Sequence, residues 1–114
     1  MGDKHLNEIN ELIERIRKFR DERDWGQFHN SKDLSIGLSV EAAELNELFL
    51  WKKAEDVDED RLKEELADVL IYAFLLAKNH DLNIEEILLS KLAVNSKKYP
   101  IEKSKGNANK YNKL

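Results

Sequence analysis

The chain has 114 residues, of which 41% are hydrophobic and 37% charged, and its formal net charge is −4 at pH 7. This length suits one domain, the single Pro and four Gly disfavour a multi-turn β architecture, and the acidic balance argues against binding nucleic-acid polymers. With no cysteine, no apolar N-terminal leader and no apolar run long enough to span a membrane, we expect a soluble, cytoplasmic protein without disulfides.

The first predicted element is an amphipathic helix from about Leu6 to Glu22, because its apolar residues recur at helical spacing. Its end is basic, which suits a helix C-terminus, and we expect most of these charges to form a solvated face. The basic residues are Arg15, Arg17, Lys18, Arg20 and Arg23. The following loop, Asp24 to Ser31, contains Trp25 and Phe28. These two aromatics either cover the core or line a ligand pocket.

The second predicted helix runs from about Lys32 to Lys53, with Ser31 as its N-cap. Gly37 lowers the helix propensity of this segment, which indicates that another backbone or a ligand comes close there. An acidic, flexible spacer, residues 54–60, leads to the third helix, for which Asp58 or Asp60 is the predicted cap.

The third predicted helix runs from about Arg61 to Asn79, and its second half is apolar nearly all round, which predicts burial against another subunit. Asn83 opens a fourth helix, about Ile84 to Lys98, with a capping-box-like pattern, and Pro100 stops it. We therefore expect a helical catalytic domain over residues 1–100. The polar tail, residues 101–114, is expected to be flexible unless it closes over a ligand.

Two acidic pairs at i, i+3 spacing are the main chemical signal: Glu41 with Glu44, and Glu65 with Asp68. Residues three apart lie on one helix face, and here that face also carries the apolar stripe of each helix. The apolar neighbours are Leu34, Leu38, Leu45 and Leu48 in one helix, and Leu62, Val69, Ala73 and Leu76 in the other. A single E-x-x-E is usually a solvated face, but two pairs within apolar stripes indicate a buried cluster.

Burying four carboxylates together is unfavourable, because each loses hydration and they repel one another. The two faces carry no Lys or Arg, so a divalent cation is the simpler counter-charge. Oxygen ligands favour Mg2+, with Mn2+ as an alternative. Redox iron is disfavoured because no histidine completes a Glu-x-x-His motif, and the chain has no P-loop.

The motif E-x-x-E, twenty intervening residues and E-x-x-D resembles the signature of the all-α nucleoside triphosphate pyrophosphohydrolases, the MazG-like superfamily. Four blocks extend the resemblance to the dCTP pyrophosphatase branch: RDWGQFHNSKDL, EAAELNELFLWK, EELADVLIYAF and LSKLAVNSKKYP. The resemblance covers about Phe19 to Pro100. It implies a four-helix bundle-like domain that assembles into dimers or tetramers.

The resemblance also implies a reaction, in which a dNTP is cleaved between its α and β phosphates to give dNMP and pyrophosphate. The implied catalytic residues and Mg2+ ligands are Glu41, Glu44, Glu65 and Asp68. The implied nucleotide contacts are Trp25, Gly26, Gln27, Phe28, His29, Trp51 and Tyr72, and the residues near the phosphates are Lys91, Asn95, Lys98 and Tyr99. Other interpretations stay open: Trp51 and Tyr72 as core residues, and Lys91 and Lys98 as solvated lysines. Glu41 and Glu44 are both candidates for the catalytic base.

One departure from the branch concerns the base pocket, where the vertebrate enzymes have a histidine and the matching residue here is Ile16. We therefore expect a relaxed dCTP preference and a role in cleaning the nucleotide pool. Alternatives are the same fold acting on dUTP, a modified dNTP or phosphoribosyl-ATP, or a helical dimerisation module without catalysis. The resemblance points to a homotetramer built as a dimer of dimers.

Overall fold

The structure, a computed structural model, describes residues 3–113, and side chains from residue 8 onward except at position 111. Over these residues the chain is helical and contains no strand, which confirms the predicted all-α class. The α-helices are α1 (Asp3–Glu22), α2 (Ser31–Glu47), α3 (Glu59–Asn79), α4 (Ile84–Lys98) and α5 (Ile101–Ser104). Short 3₁₀ helices form at Trp25–Phe28, Ala54–Asp56 and Tyr111–Lys113.

The chain divides into two compact units, one ending at Leu82 and the other beginning at Asn83. In the first unit, α2 and α3 make the most extensive contact, and α3 also packs against α1. The buried core residues are Ile13, Leu34, Leu48, Leu75 and Ala77. The second unit consists of α4, α5 and the last 3₁₀ helix. The predicted domain boundary at residue 100 stays a prediction.

The cap of α2 lies one residue before the predicted position. The Asn30 side-chain oxygen accepts a hydrogen bond from the Asp33 backbone N–H at 2.9 Å, so Asn30 is the N-cap and the prediction of Ser31 was wrong. Asparagine and serine cap equally well, so the sequence did not separate the neighbours. The Ser31 hydroxyl instead lies 2.8 Å from His80 Nε2 at the end of α3.

Helix α2 ends at Glu47 rather than at Lys53. The apolar residues that follow continue the helical pattern, which is why the sequence predicted a longer helix. The backbone instead turns through residues 48–51 and reaches Trp51 with φ 64°, in the left-handed region. The predicted caps at Asp58 and Asn83 are confirmed, since their side chains accept hydrogen bonds from the first-turn N–H groups of α3 and α4.

Gly37 lets α3 come close to α2. A Cβ at this position would clash with the ring of Tyr72. The expected close approach is therefore present, but the neighbour is an aromatic side chain, not backbone or ligand as predicted. The contact fixes where Tyr72 can lie, and so shapes the candidate site described below.

Among the helices that the structure describes, none combines the length and the hydropathy needed to cross a membrane.

Candidate functional site

The packing of α2 against α3 brings the acidic pairs of the two helices together. One carboxylate oxygen from each of Glu41, Glu44 and Glu65 lies within 4.8 Å of the others, an arrangement that could hold a metal ion. Asp68, one turn beyond Glu65, lines the adjoining cavity together with Glu41. We refer to these four residues as the acidic cluster.

The members of the acidic cluster differ in exposure. Glu41 and Glu65 are half-buried, whereas Glu44 and Asp68 are exposed. The expectation that all four are buried was wrong for Glu44 and Asp68, because their side chains lie at the solvent edge of the cluster. Water can therefore hydrate these two carboxylates, and the cost of burial falls mainly on the other two.

Two oxygens of the acidic cluster are without a hydrogen-bond partner in the part of the chain that the structure describes. Glu41 Oε2 and Glu65 Oε2 are buried, and neither has a hydrogen-bond partner among the described residues. Most buried polar atoms in proteins are paired, and an unpaired acceptor is destabilising. A carboxylate has no proton to donate when ionised, so only a donor or a cation can satisfy these oxygens. The donor set, made of carboxylates alone, fits a hard divalent cation.

The pKa shifts within the acidic cluster also indicate that it suits a cation. Burial, then the adjacent Glu44 carboxyl, then the charges of Asp68 and Glu65 raise the pKa of Glu41 to about 7. Burial and the charges of Glu44 and Asp68 also raise the pKa of Glu65, against a small opposing effect of Arg61. Each raised pKa means that the ionised carboxylate is destabilised at its position in the folded protein. A bound cation would remove that penalty.

The raised pKa of Glu41 predicts how the stability of the cation-free protein depends on pH. Unfolding returns the pKa from about 7 to 4.5, so the native state binds the proton more tightly. The resulting stabilisation is complete below pH 4.5 and is lost as pH rises through 7. In EDTA, we therefore expect the melting temperature to fall from pH 5 to pH 8.

The matched variants for this measurement are Glu41→Gln, which should flatten the decline, and Glu64→Gln, an exposed acid of α3 outside the cluster, which should keep it. Mg2+ added to the wild type at pH 8 should restore the melting temperature. Equal slopes for the wild type and Glu41→Gln would contradict this account.

A cavity of about 300 Å³ adjoins the acidic cluster. Its wall combines apolar and aromatic side chains with two carboxylates, the usual make-up of a site for a small ligand. The lining residues are Ile16, Phe19, Arg20, Trp25, His29, Glu41, Asp68, Ile71, Tyr72 and Leu75.

The aromatic part of this wall is built by α1, the 3₁₀ helix after it and α3. Phe19 and Trp25 meet edge to face, with ring centroids 5.8 Å apart, and Trp25 keeps 44% of its surface exposed. The rings of His29 and Tyr72 lie 6.4 Å apart at 49°. The Asn79 amide donates to the His29 carbonyl at 2.8 Å, which ties the loop to the end of α3.

His29 supplies an uncharged polar group to the cavity. Burial first, then the positive charge of Arg20, lower the pKa of His29, so its ring is neutral at pH 7. Its Nδ1 is buried and has no hydrogen-bond partner within the described part of the chain. A neutral imidazole has one donor and one acceptor nitrogen, so His29 can pair with a ligand in either sense.

The structure brings three of the predicted nucleotide contacts to the cavity: Trp25, His29 and Tyr72. Among the described residues of its wall, Phe28 and Trp51 do not occur, and the interpretation of Trp51 as core is wrong because its side chain is fully exposed. The Gln27 amide donates to the Asp24 carbonyl and carboxylate at 3.0 and 3.1 Å.

The predicted phosphate contacts belong to the second unit, on or just after α4. Asn95 is half-buried, whereas Lys91, Lys98 and Tyr99 are exposed. Their contact with a substrate stays a prediction.

Sequence reasoning missed Arg20. It was one of five basic residues at the end of the predicted first helix, of which most were expected on a solvated face, but its side chain is only 12% exposed and lines the cavity. The signal was available in the helical register, since Arg20 lies four residues after Ile16 and therefore on the same face of α1. Ile16, which the resemblance aligns with a histidine of the vertebrate enzymes, also lines the cavity.

Comparison with known proteins identifies the family. Residues 36–114 match the MazG-like family. The chain belongs to this family. It is 38% identical to dCTP pyrophosphatase 1 of Bos taurus over 90% of this chain and 68% of that protein, and 36% identical to dCTP pyrophosphatase 1 of Homo sapiens over 90% and 67%.

A solved structure agrees with this assignment to the MazG-like family. A pyrophosphatase from Archaeoglobus fulgidus DSM 4304 superposes with a TM-score of 0.74 at 39% identity, covering 82% of this chain and 93% of that one. The resemblance noted in the sequence is thereby confirmed.

Proposed function

We propose that this MazG-like protein is a Mg2+-dependent dNTP pyrophosphohydrolase that prefers dCTP and releases dNMP and pyrophosphate. One observation carries the proposal: an acidic cluster with two unpaired buried carboxylate oxygens adjoins a cavity with an aromatic wall. The relatives named dCTP pyrophosphatase 1 support the choice of substrate.

The acidic cluster is the proposed cation site. Glu41, Glu44, Glu65 and Asp68 would hold Mg2+, and Mn2+ has the same ligand preference. When bound, the ion would neutralise triphosphate charge and make a coordinated water more acidic. Glu41 and Glu44 are the two candidates for accepting the proton of the attacking water, because both carboxylates lie within the cluster.

The cavity is the proposed nucleotide site. The exposed face of Trp25 can stack on a base, and His29 and Tyr72 supply polar groups beside it. Ile16 offers no hydrogen bond where the vertebrate enzymes have a histidine, so we expect the dCTP preference to be relaxed. We propose that Gly26, Gln27, Phe28 and Trp51 also contact the nucleotide, and that Lys91, Asn95, Lys98 and Tyr99 approach its phosphates.

A hydrolase that prefers one dNTP without rejecting the rest suits removal of unwanted nucleotides from the cytoplasmic pool. dUTP, a modified dNTP or phosphoribosyl-ATP is the alternative substrate on the same fold. A helical dimerisation module is disfavoured, because such a module has no need of unpaired carboxylate oxygens beside a cavity.

Product analysis across a nucleotide panel tests the proposed reaction. The protein is incubated with Mg2+ and each dNTP, dUTP or phosphoribosyl-ATP, and the products are separated by ion-exchange chromatography. We expect dCMP and pyrophosphate in equal amounts, with dCTP turned over fastest and a second dNTP more slowly. Formation of dCDP and phosphate, or no turnover of any nucleotide, would contradict the proposal.

We also propose that the protein is a tetramer built as a dimer of dimers. In the single chain, four apolar side chains of α2 and α3 are about half exposed. They are Ile36 and Val40 in α2, and Leu66 and Leu70 in α3. Apolar residues clustered on packed helices usually mark an interface. Light scattering at micromolar concentration should give a mass near four times 13.3 kDa, and a monomer at that concentration would contradict the assembly.

A further inference from the structure

The Arg20 guanidinium is a largely shielded positive charge in the wall of the cavity. Its side chain is 12% exposed, although arginine is rarely this buried without partners. The neighbouring Asp21 carboxylate accepts a hydrogen bond from Arg20 Nε at 3.1 Å. The positive charge of Arg20 is therefore balanced by an acid of the same helix, α1.

The position of this guanidinium is set from two further directions. The other oxygen of Asp21 accepts from Arg17 Nη1 at 2.7 Å, which fixes the carboxylate that holds Arg20. Gly26, in the 3₁₀ helix, lies against the same head group: a Cβ built there would be 3.6 Å from Arg20 Nε. Such fixing from several sides is what a side chain needs in order to discriminate between ligands.

The Arg20 guanidinium has donors left for a ligand. Its hydrogen bonds and ion pairs to described residues all use Nε. Arginine carries five N–H donors and no acceptor, and the two Nη groups together form a fork that suits two adjacent acceptors. Arg20 shares the cavity wall with Trp25 and His29, so this residue lies beside the proposed stacking face.

We propose that Arg20 is a specificity-determining residue that reads two adjacent acceptors on the edge of the base, N3 and O2 of cytosine. This inference rests on the proposed function. In uracil and thymine, N3 carries a proton, so an N–H of the base would face an N–H of the fork. Donors of the site that are left unpaired disfavour such a ligand relative to cytosine.

His29 can bind the third polar group on the same edge of cytosine. Its unpaired Nδ1 can accept from the exocyclic amino group of cytosine, which stands next to N3. Uracil and thymine present a carbonyl oxygen at that position. Two donors from Arg20 and one acceptor from His29 therefore complement cytosine along its whole edge, although Ile16 is apolar.

The test compares Arg20→Met and Arg20→Lys with Arg15→Met, a matched control that removes a positive charge from an exposed position of α1 outside the cavity. For each protein, kcat/KM is measured with dCTP and dUTP, and the Kd of dCMP and dUMP by titration calorimetry. Arg20→Lys keeps the positive charge but loses the fork. If Arg20→Met fails to fold, the same measurements on Arg20→Lys still test the role of the fork.

We expect Arg20→Met to lower the dCTP to dUTP ratio of kcat/KM about five- to hundredfold, the range for one bidentate base contact. The dCMP to dUMP affinity ratio should fall in parallel, Arg20→Lys should lie close to Arg20→Met, and Arg15→Met should match the wild type.

Equal losses for both nucleotides would overturn the inference and assign Arg20 to the phosphates or the sugar. An unchanged ratio, or a wild type that prefers dUTP, would overturn it as well. If the wild type released no pyrophosphate from any nucleotide, the proposed function would fail. A preference for dCMP over dUMP that disappears in Arg20→Met would then still uphold the role of Arg20.

Discussion

Replacing Asp68 with asparagine will lower the rate of pyrophosphate release from dCTP by on the order of a thousandfold, the loss typical of removing one strong electrostatic contact in a reacting site. Asparagine keeps the shape of the side chain and removes one charge from a cluster whose members repel one another. Asp68 contributes to the raised pKa of both Glu41 and Glu65, so its neutralisation relieves repulsion. The cation-free variant should therefore melt at or above the wild-type temperature.

A loss of activity without a loss of stability separates a catalytic role from a structural one. Glu64→Gln is the matched control, because it removes an acid from the same helix outside the cluster, and it should keep wild-type rates. Glu65→Gln should behave like Asp68→Asn. Wild-type turnover by Asp68→Asn in Mg2+ would refute the assignment of the acidic cluster as the cation site.

Trp51→Ala will raise KM for every dNTP by a similar factor, on the order of ten- to a hundredfold for loss of one stacking aromatic. Trp51 is fully exposed and has a positive φ of 64°, so its backbone is strained and its side chain is not buried against any described residue. Strained backbone of this kind clusters at functional sites, where a ligand or partner uses the side chain. Stacking accepts all bases, so the effect should not depend on which base is offered.

Trp51→Phe is the matched control, because it keeps an aromatic face at the same backbone position, and most of the lost affinity should return. Steady-state kinetics with dCTP and a second dNTP measures both variants. If Trp51→Ala lost one nucleotide and kept the other at wild-type efficiency, Trp51 would be a selector rather than a stacking platform. An unchanged KM for all nucleotides would place Trp51 outside the site.

The helices and the acidic cluster were predictable because both follow from local spacing. An i, i+3 pair within an apolar stripe fixes the face that a helix presents, so the sequence alone placed Glu41 and Glu65 against one another. The exposure of Glu44 and Asp68 could not be predicted, because it depends on how far the facing helix extends over each side chain. Spacing along one helix carries no information on that depth.

The end of α2 and the environment of Arg20 show a second limit. Leu48 and Trp51 continue the apolar pattern of the helix, so the turn that ends it left no mark in the periodicity. Arg20 looked like one of several solvated charges on α1. Gly26 of the 3₁₀ helix lies beside its guanidinium, a tertiary contact that composition does not encode.

The central claim is that the acidic cluster holds a cation with which the protein splits a dNTP between its α and β phosphates. The most direct measurement follows dCTP with protein stripped by EDTA, before and after Mg2+ is added, and quantifies dCMP and pyrophosphate together. We predict no products before the addition. Afterwards the wild type should form equal amounts of both, and Asp68→Asn should form both on the order of a thousandfold more slowly. Equal turnover with and without Mg2+, or release of phosphate in place of pyrophosphate, would contradict the account.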